Sequence, residues 1–178
     1  MPTPDEDATT LLSWLPRLRR YARALAGDRD AADDLVQDTL ERAWTRAGRW
    51  QGVADMRAWL FTLMHNLHVD GLRRRPPPAE ELDEQAPELA QPPAQEQRAA
   101  LLDLQAALQQ LPVEQREVLL LIALEDMAYA DVAATLGIPI GTVMSRLSRG
   151  RERLRALMEG RVEATRLQLV STTKRTRA

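Results

Sequence analysis

Apolar residues recur along this chain three and four positions apart, the spacing of one helix face. No stretch alternates apolar and polar residues as a half-buried strand would. Leu11, Leu12, Leu15, Leu18, Ala22 and Leu25 form a first stripe, and Gly27 ends it. Asp28 or Asp30 can cap a second helix, since a carboxylate near the positive end of the helix dipole is stabilising. Its apolar face holds Ala31 or Ala32, Leu35, Val36, Thr39, Leu40 and Ala43. Residues 48–55 break the pattern. Asp55 can cap a third helix whose buried stripe is Met56, Trp59, Leu60, Leu63, Met64, Leu67 and Leu72. Pro76, Pro77 and Pro78 stop it, because proline removes a backbone donor and restricts the residue before it.

A second set of stripes begins beyond residue 95. Leu101, Leu104, Ala107, Leu108 and Leu111 share one face. Pro112 suits a first helical position, and the helix from Val113 to Leu124 is strongly apolar. A short helix is expected over 129–136, then a turn at Gly137, Ile138 and Pro139, then a last helix over about 141–159. The fold class expected is all-α: two small helical domains joined by a flexible linker rich in proline and acid. The first domain spans 8–75, the linker 76–95 and the second domain 96–160. The basic tail, 161–178, is expected to fray or be disordered. Six prolines and five acids fall within the twenty linker residues. So polar a segment cannot bury enough surface to offset its ordering entropy.

Composition changes this picture in one respect. The 178 residues carry 24 basic and 26 acidic side chains, a net charge of −2. That average argues against a nucleic-acid binder, but the charge is segregated. Residues 1–40 carry −3, 41–75 carry +4, 76–139 carry −10 and 140–178 carry +7. There is no cysteine, which removes disulfides, thiolate metal sites and cysteine nucleophiles. No apolar run approaches the roughly 20 residues of a membrane span. The N-terminus lacks the features of a signal peptide, so a cytoplasmic protein with no membrane insertion is expected.

Each basic block contains a pattern with chemical meaning. The stretch YADVAATLGIPIGTVMSRLSRGRERLRALM, 129–158, has the form of a helix-turn-helix. Ala133 is small where two helices approach, and Gly137 can adopt the left-handed turn conformation. Val132, Leu136, Ile138, Val143 and Leu147 fall on the inner side, and Gly150 suits a tight approach. The outer face of the last helix shows Thr142, Ser145, Arg146, Arg149, Arg151 and Arg153. Such a helix enters the major groove, where arginine contacts phosphates or guanine edges. In the first basic block, Trp44, Trp50, Trp59 and Phe61 lie among Arg42, Arg46, Arg49 and Arg57, near Asn66. Aromatic faces beside cations suit unstacked bases. Trp44 and Trp59 lie on apolar stripes and suit the core equally well. Trp50, between helices, is the better base contact. One unit suited to single strands and another to duplex grooves is what opening a promoter requires.

Three segments in order resemble the sigma-70 family of RNA polymerase sigma factors, in its two-domain extracytoplasmic-function group. DAADDLVQDTLERAW (30–44) is similar to the polymerase-binding helix. RAWLFTLMHNLHVDGLRRR (57–75) is similar to the promoter-melting helix, and residues 111–154 are similar to the C-terminal DNA-binding region. The resemblance implies that Asp34, Gln37 and Asp38 dock on the clamp helices of the polymerase beta prime subunit. It implies minus-10 recognition through Trp50, Trp59 and Asn66, with Arg73, Arg74 and Arg75 on backbone phosphates. Minus-35 recognition would use Thr142, Ser145, Arg146, Arg149 and Arg151. The implied partners are core RNA polymerase, including its beta subunit, and promoter DNA, with an anti-sigma factor as the regulator many members have. No cofactor and no metal are implied, and the protein would not be an enzyme. Met144 stands where many members carry a basic residue, which removes one contact to DNA.

Two other readings compete. A stand-alone regulator of the LuxR type shares a terminal helix-turn-helix, but no βαβ receiver pattern precedes this one. His65 and His68, three apart with Asp70 nearby, could belong to a metal-dependent hydrolase. No further ligand cluster in the sequence supports that.

Overall fold

A computed structural model describes the backbone of residues 4–46, 53, 55–74 and 95–175, with side chains over 8–46, 53, 55–74 and 97–160. These residues form seven helices and no strand: α1 (Pro4–Ala26), α2 (Arg29–Trp44), α3 (Met56–Arg74), α4 (Gln95–Gln109), α5 (Val113–Ala123), α6 (Tyr129–Leu136) and α7 (Ile140–Arg175). The expected linker lies almost wholly outside the described residues.

The helix boundaries have local causes. Gly27 adopts φ +87°, and a Cβ there would meet the Gln109 side chain at 2.5 Å. Asp28 is the cap chosen at the start of α2, its carboxylate accepting from Ala31 N at 2.7 Å. Asp55 does the same for Ala58 N at 3.1 Å. Each satisfies a backbone donor that the first helical turn leaves unpaired. Pro112 sits one residue before α5 rather than inside it.

In the first unit α1 packs on α2 and α2 on α3. Leu18, Ala22, Leu25, Val36, Leu60 and Met64 are among the residues buried there. Tyr21 and Phe61 meet edge to face, with ring centroids 5.0 Å apart. Full burial of such a side chain contributes about 1.5–3 kcal/mol. Three stripe residues depart from expectation: Leu12, Trp44 and Leu72 are exposed. Leu12 lies 100° around the helix from Leu11, and only Leu11 faces the neighbouring helices.

In the second unit α5 packs on α6 and α7, and α6 on α7. Ala107, Leu108 and Leu111 are buried, whereas Leu101 and Leu104 at the start of the α4 stripe are exposed. The last helix does not end near residue 159. It continues to Arg175, where a frayed tail was expected. Beyond Gly160 the sequence VEATRLQL contains good helix formers and no proline, so nothing local stops it.

The two units do not stand apart. α1 packs on α4 and α5, and α3 packs on α6. Buried residues of both form one contiguous core. Periodicity reveals which face of a helix is apolar, but not which helix will cover it.

Candidate nucleic-acid interface

The helix-turn-helix forms as its residues suggest. Gly137 takes φ 64° and closes α6. Ile138 N donates to Ala133 O at 3.0 Å and Gly137 N to Ala134 O at 3.4 Å, the paired bonds of a Schellman C-cap. Val132, Leu136, Val143 and Leu147 are buried and Ile138 is half-buried. Gly150 is buried against Gln115, whose Cβ and carbonyl oxygen would each lie 3.4 Å from an added Cβ. Thr142 N and Val143 N both donate to Pro139 O, which starts α7.

The first turns of α7 then carry a polar face. Ser145, Arg149 and Arg151 are exposed, while Thr142 and Arg146 are half-buried. Ser145 Oγ donates to Thr142 O at 3.1 Å. Arg149 Nε donates to Ser145 O at 3.2 Å, and its Nη2 reaches Ser145 Oγ at 3.4 Å. The Arg149 guanidinium therefore lies back along the helix over Ser145, and these side chains act as one cluster. No acidic residue occupies the first turn of α7, so its positive dipole end is left for an anion. Met144 and Ile140, about half exposed, share this end of the helix.

On α3, Asn66 is exposed and Trp59 is half-buried against the core. Trp59, Asn66 and Arg73 are spaced by seven, which places them along one stripe of the helix. Arg73 and Arg74 are exposed at its end. Trp50 and Arg75 lie outside the described residues. Arg57, counted with the basic residues of this block, does not face outward for a base. Its Nη1 donates to Glu125 O at 3.1 Å.

A different surface forms on α1 and α2. Asp34, Gln37 and Asp38 are exposed on the side of α2 away from its buried residues. Gln37 also edges an apolar groove between the helices, lined by Leu11, Leu12, Leu15, Val36, Leu40 and Trp44. Leu12 is 58% exposed and Trp44 47%. Such a patch rimmed by polar groups is typical of a protein-binding surface. The apolar stripe places Leu12 inward, whereas Trp44 suits core and base contact equally from sequence; both lie on this groove instead.

Between the units lies a polar cluster that residue type alone hides. Glu125 follows α5, and its side chain is fully buried. It accepts from Arg17 Nε at 2.8 Å and Arg20 Nη2 at 3.0 Å. Arg20 also reaches Leu124 O. Asp126 takes a left-handed φ of 52°, a conformation aspartate tolerates better than most residues, and this turns the chain toward α6. Arg116 is buried and donates to Leu25 O, to Gln109 Oε1 and O, and to Leu111 O. Burial pulls its pKa below the usual arginine value, with Glu117 opposing. His65 Nδ1 and Glu117 Oε1 lie 2.8 Å apart. His65 is thus committed to a carboxylate of the other unit, and among the described residues no group of three or more potential metal ligands exists. Tyr21 is enclosed beneath this cluster. Burial raises its pKa well above the ordinary value, with Glu117 and Glu125 adding to the effect.

Residues 11–65 match the family model described as the Sigma2 domain of PhyR, and residues 101–154 match Sigma-70, region 4. The chain is 38% identical to the ECF RNA polymerase sigma factor EcfG of Rhodopseudomonas palustris (strain TIE-1), over 89% of this chain and 88% of the relative. Among solved structures it resembles the sigma factor RpoE in complex with the anti-sigma factor NepR from Bartonella quintana. The TM-score is 0.71 and the identity 34%, over 85% of this chain and 96% of that one. It also resembles CnrH in complex with the cytosolic domain of CnrY, with a TM-score of 0.67 and 26% identity over 89% and 90%.

Proposed function

This chain belongs to the extracytoplasmic-function (ECF) group of RNA polymerase sigma factors, and from that membership we propose how the work is divided along it. ECF sigma factors bind core RNA polymerase and direct it to specific promoters in transcription initiation. In our reading residues 8–75 hold the polymerase and the minus-10 element, and residues 96–160 read the minus-35 element. Residues 76–95 connect them, and the basic residues of 161–178 add phosphate contacts. The protein acts in the cytoplasm; no helix among the described residues is long and apolar enough to cross a membrane.

The mechanism is one of binding, with no covalent step and no cofactor. Asp34, Gln37 and Asp38 dock on the beta prime clamp helices beside the apolar groove of α1 and α2. The arginine face of α7 then anchors duplex DNA. Ser145, Arg146 and Arg149 meet base edges or phosphates, with Thr142 and Arg151 flanking them. Trp50, Trp59 and Asn66 receive an extruded base, while Arg73, Arg74 and Arg75 hold the strand. Each captured base offsets part of the unpairing cost, a few kcal/mol per base. An anti-sigma factor, the kind of partner with which the sigma factor RpoE from Bartonella quintana is found, is the regulator we assign to the exposed polymerase-binding face.

The observation that carries this reading is the pairing of two different surfaces on one chain. One is a duplex-reading helix with Ser145 and Arg149 joined at its exposed face. The other is an α3 stripe of Trp59, Asn66 and Arg73. Affinity co-purification with core polymerase tests its first step. Wild-type chain is expected to retain the core enzyme, and the triple variant Asp34→Ala, Gln37→Ala, Asp38→Ala to lose it by at least about tenfold. Equal retention by both would remove these three residues from the interface.

A further inference from the structure

The outer face of α7 is not polar throughout. Two large apolar side chains lie on it, Ile140 at 47% exposed and Met144 at 50%. Among the described residues of α7 no other large hydrophobic side chain is so exposed. Elsewhere on this helix the apolar residues turn inward: Val143 and Leu147 are buried, and Leu154, Leu157 and Met158 are half-buried. Ile140 and Met144 are four positions apart, which makes them neighbours on one side of the helix. Successive helical residues are turned by about 100°. Met144 therefore stands between the buried ridge of Val143 and Leu147 and the outermost residue, Ser145. Arg146 and Arg149 lie on the other side of Ser145. Gly141 is exposed beside them, and a Cβ added there would meet nothing within 4 Å. The backbone at this end of the helix is open to close approach.

A single exposed apolar residue is ordinary on a protein surface. What distinguishes this pair is its place. Both residues lie in the first two turns of the second helix of a helix-turn-helix, whose N-terminal residues contact base edges in the major groove. The exposed half of each side chain packs against nothing in the chain, so it adds nothing to the stability of the fold.

The major groove offers such side chains one matching group. Phosphates and most base-edge atoms are polar, and an apolar side chain gains nothing from them. The exception is the 5-methyl group of thymine, which projects into the groove at every A·T pair. An arginine at position 144 would serve phosphates, which every sequence presents alike. A thioether cannot. Methionine is unbranched, with three rotatable bonds and a polarizable sulfur, so its tip adapts to a small apolar partner. Ile140 is β-branched and stiff, and one turn away it forms a fixed wall that keeps water from the contact.

We propose that Met144, backed by Ile140, recognises the 5-methyl group of a pyrimidine in the minus-35 element, beside the base edges that Ser145 meets. The inference rests on the reading of α7 as the duplex-reading helix, and it names what a further residue of that helix selects. Two bases carry this group at the same ring position, thymine and 5-methylcytosine. The contact favours thymine over cytosine without a hydrogen bond. It also makes a site with cytosine at that position respond to cytosine methylation. One methyl removed from water corresponds to about fourfold in affinity.

The test is a competition titration of holoenzyme, the full chain with core polymerase, against promoter duplexes. Each thymine of the upstream element is replaced in turn by deoxyuridine, which deletes the methyl group and leaves base pairing intact. Wild type is expected to lose about fourfold in affinity at one thymine. Met144→Ala is expected to bind the thymine duplex about fourfold less tightly than wild type and to be indifferent to deoxyuridine at that position. Met144→Leu keeps an apolar tip and is expected to retain the sensitivity. With cytosine at that position, 5-methylation is expected to raise wild-type affinity by about fourfold and to leave Met144→Ala unchanged. Wild-type affinity that no deoxyuridine alters would overturn the proposal, as would equal sensitivity in wild type and Met144→Ala. An upstream element with no thymine on either strand would overturn it too. A thymine effect with no 5-methylcytosine effect would overturn the methyl as the group recognised. Arg149→Ala separates this outcome from the role of the helix. If it binds as tightly as wild type, the duplex-reading role of α7 falls; if it weakens binding and deoxyuridine does not, the part assigned to Met144 falls alone.

Discussion

Replacing Arg116 by methionine isolates the energetic weight of the buried guanidinium. Methionine keeps an unbranched apolar stem but ends short of the guanidinium, so the space near the carbonyls is left to water or to local adjustment. What is lost is a donor set. Arg116 serves three main-chain carbonyls, Leu25 O, Gln109 O and Leu111 O, and one side-chain oxygen, Gln109 Oε1. Gln109 can turn to another partner, but the three carbonyls stay where the helix ends place them. A buried acceptor left unpaired costs about 1–3 kcal/mol. Three at the low end give about 3 kcal/mol, and relief of guanidinium desolvation keeps the total near that value. Urea unfolding at 25 °C reads it directly as a fall in midpoint at constant slope. A protein of this size should lose very roughly 6–12 °C in Tm. Arg98→Met on the exposed part of α4 is the control, expected to change stability by less than about 0.5 kcal/mol. A loss below 1 kcal/mol for Arg116→Met would show that these carbonyls find water or other donors, and that Arg116 does not hold the helix ends together.

Other consequences can be checked separately. Tyr21 is held neutral by burial, so its folded pKa exceeds the unfolded value of about 10. Stability from this group is complete below pH about 10 and falls by about 1.4 kcal/mol per pH unit as pH rises from there toward the folded pKa; Tyr21→Phe should flatten that fall in alkaline urea titrations. Asn66→Ala should leave duplex binding intact but reduce permanganate reactivity of unpaired promoter thymines by roughly tenfold; normal reactivity would remove Asn66 from strand capture. Arg149→Ala should weaken minus-35 binding by about 1–3 kcal/mol and relax preference at one position, whereas an unchanged affinity in a duplex titration would exclude a bidentate contact. Met144→Arg should steepen the dependence of log affinity on log salt by about 0.9, one added phosphate contact; an unaltered slope would place residue 144 away from the backbone.

Much of the local structure is legible in the residues. Asp28, Asp55 and Gly137 mark helix ends because each supplies a specific bond or backbone conformation. The inner face of the helix-turn-helix follows from spacing, and Val132, Leu136, Val143 and Leu147 are buried there. What escapes is long-range. Glu125, Glu117 and Arg116 are charged, and charged residues are seldom fully buried unless paired. Their partners in the other unit lie 52 to 108 positions away, and no local pattern points to them. Trp44 and Leu12 mislead for the reverse reason: they sit on apolar stripes, yet among the described residues no third helix covers that edge of α1 and α2. Of the proposed DNA contacts, α3 displays Asn66 and Arg73 and α7 displays Ser145 and Arg149. The roles assigned to them come from the family pattern joined to this geometry.

The central claim is that this chain selects promoters for RNA polymerase through two separate contacts. Run-off transcription from a randomised promoter library, with core polymerase and the purified chain, tests it most directly. The account predicts transcripts that require the chain and begin a fixed distance downstream of two short elements. Arg149→Ala should alter the upstream element and Asn66→Ala should lower yield without altering it. Identical transcripts from core polymerase with and without the chain would contradict the account.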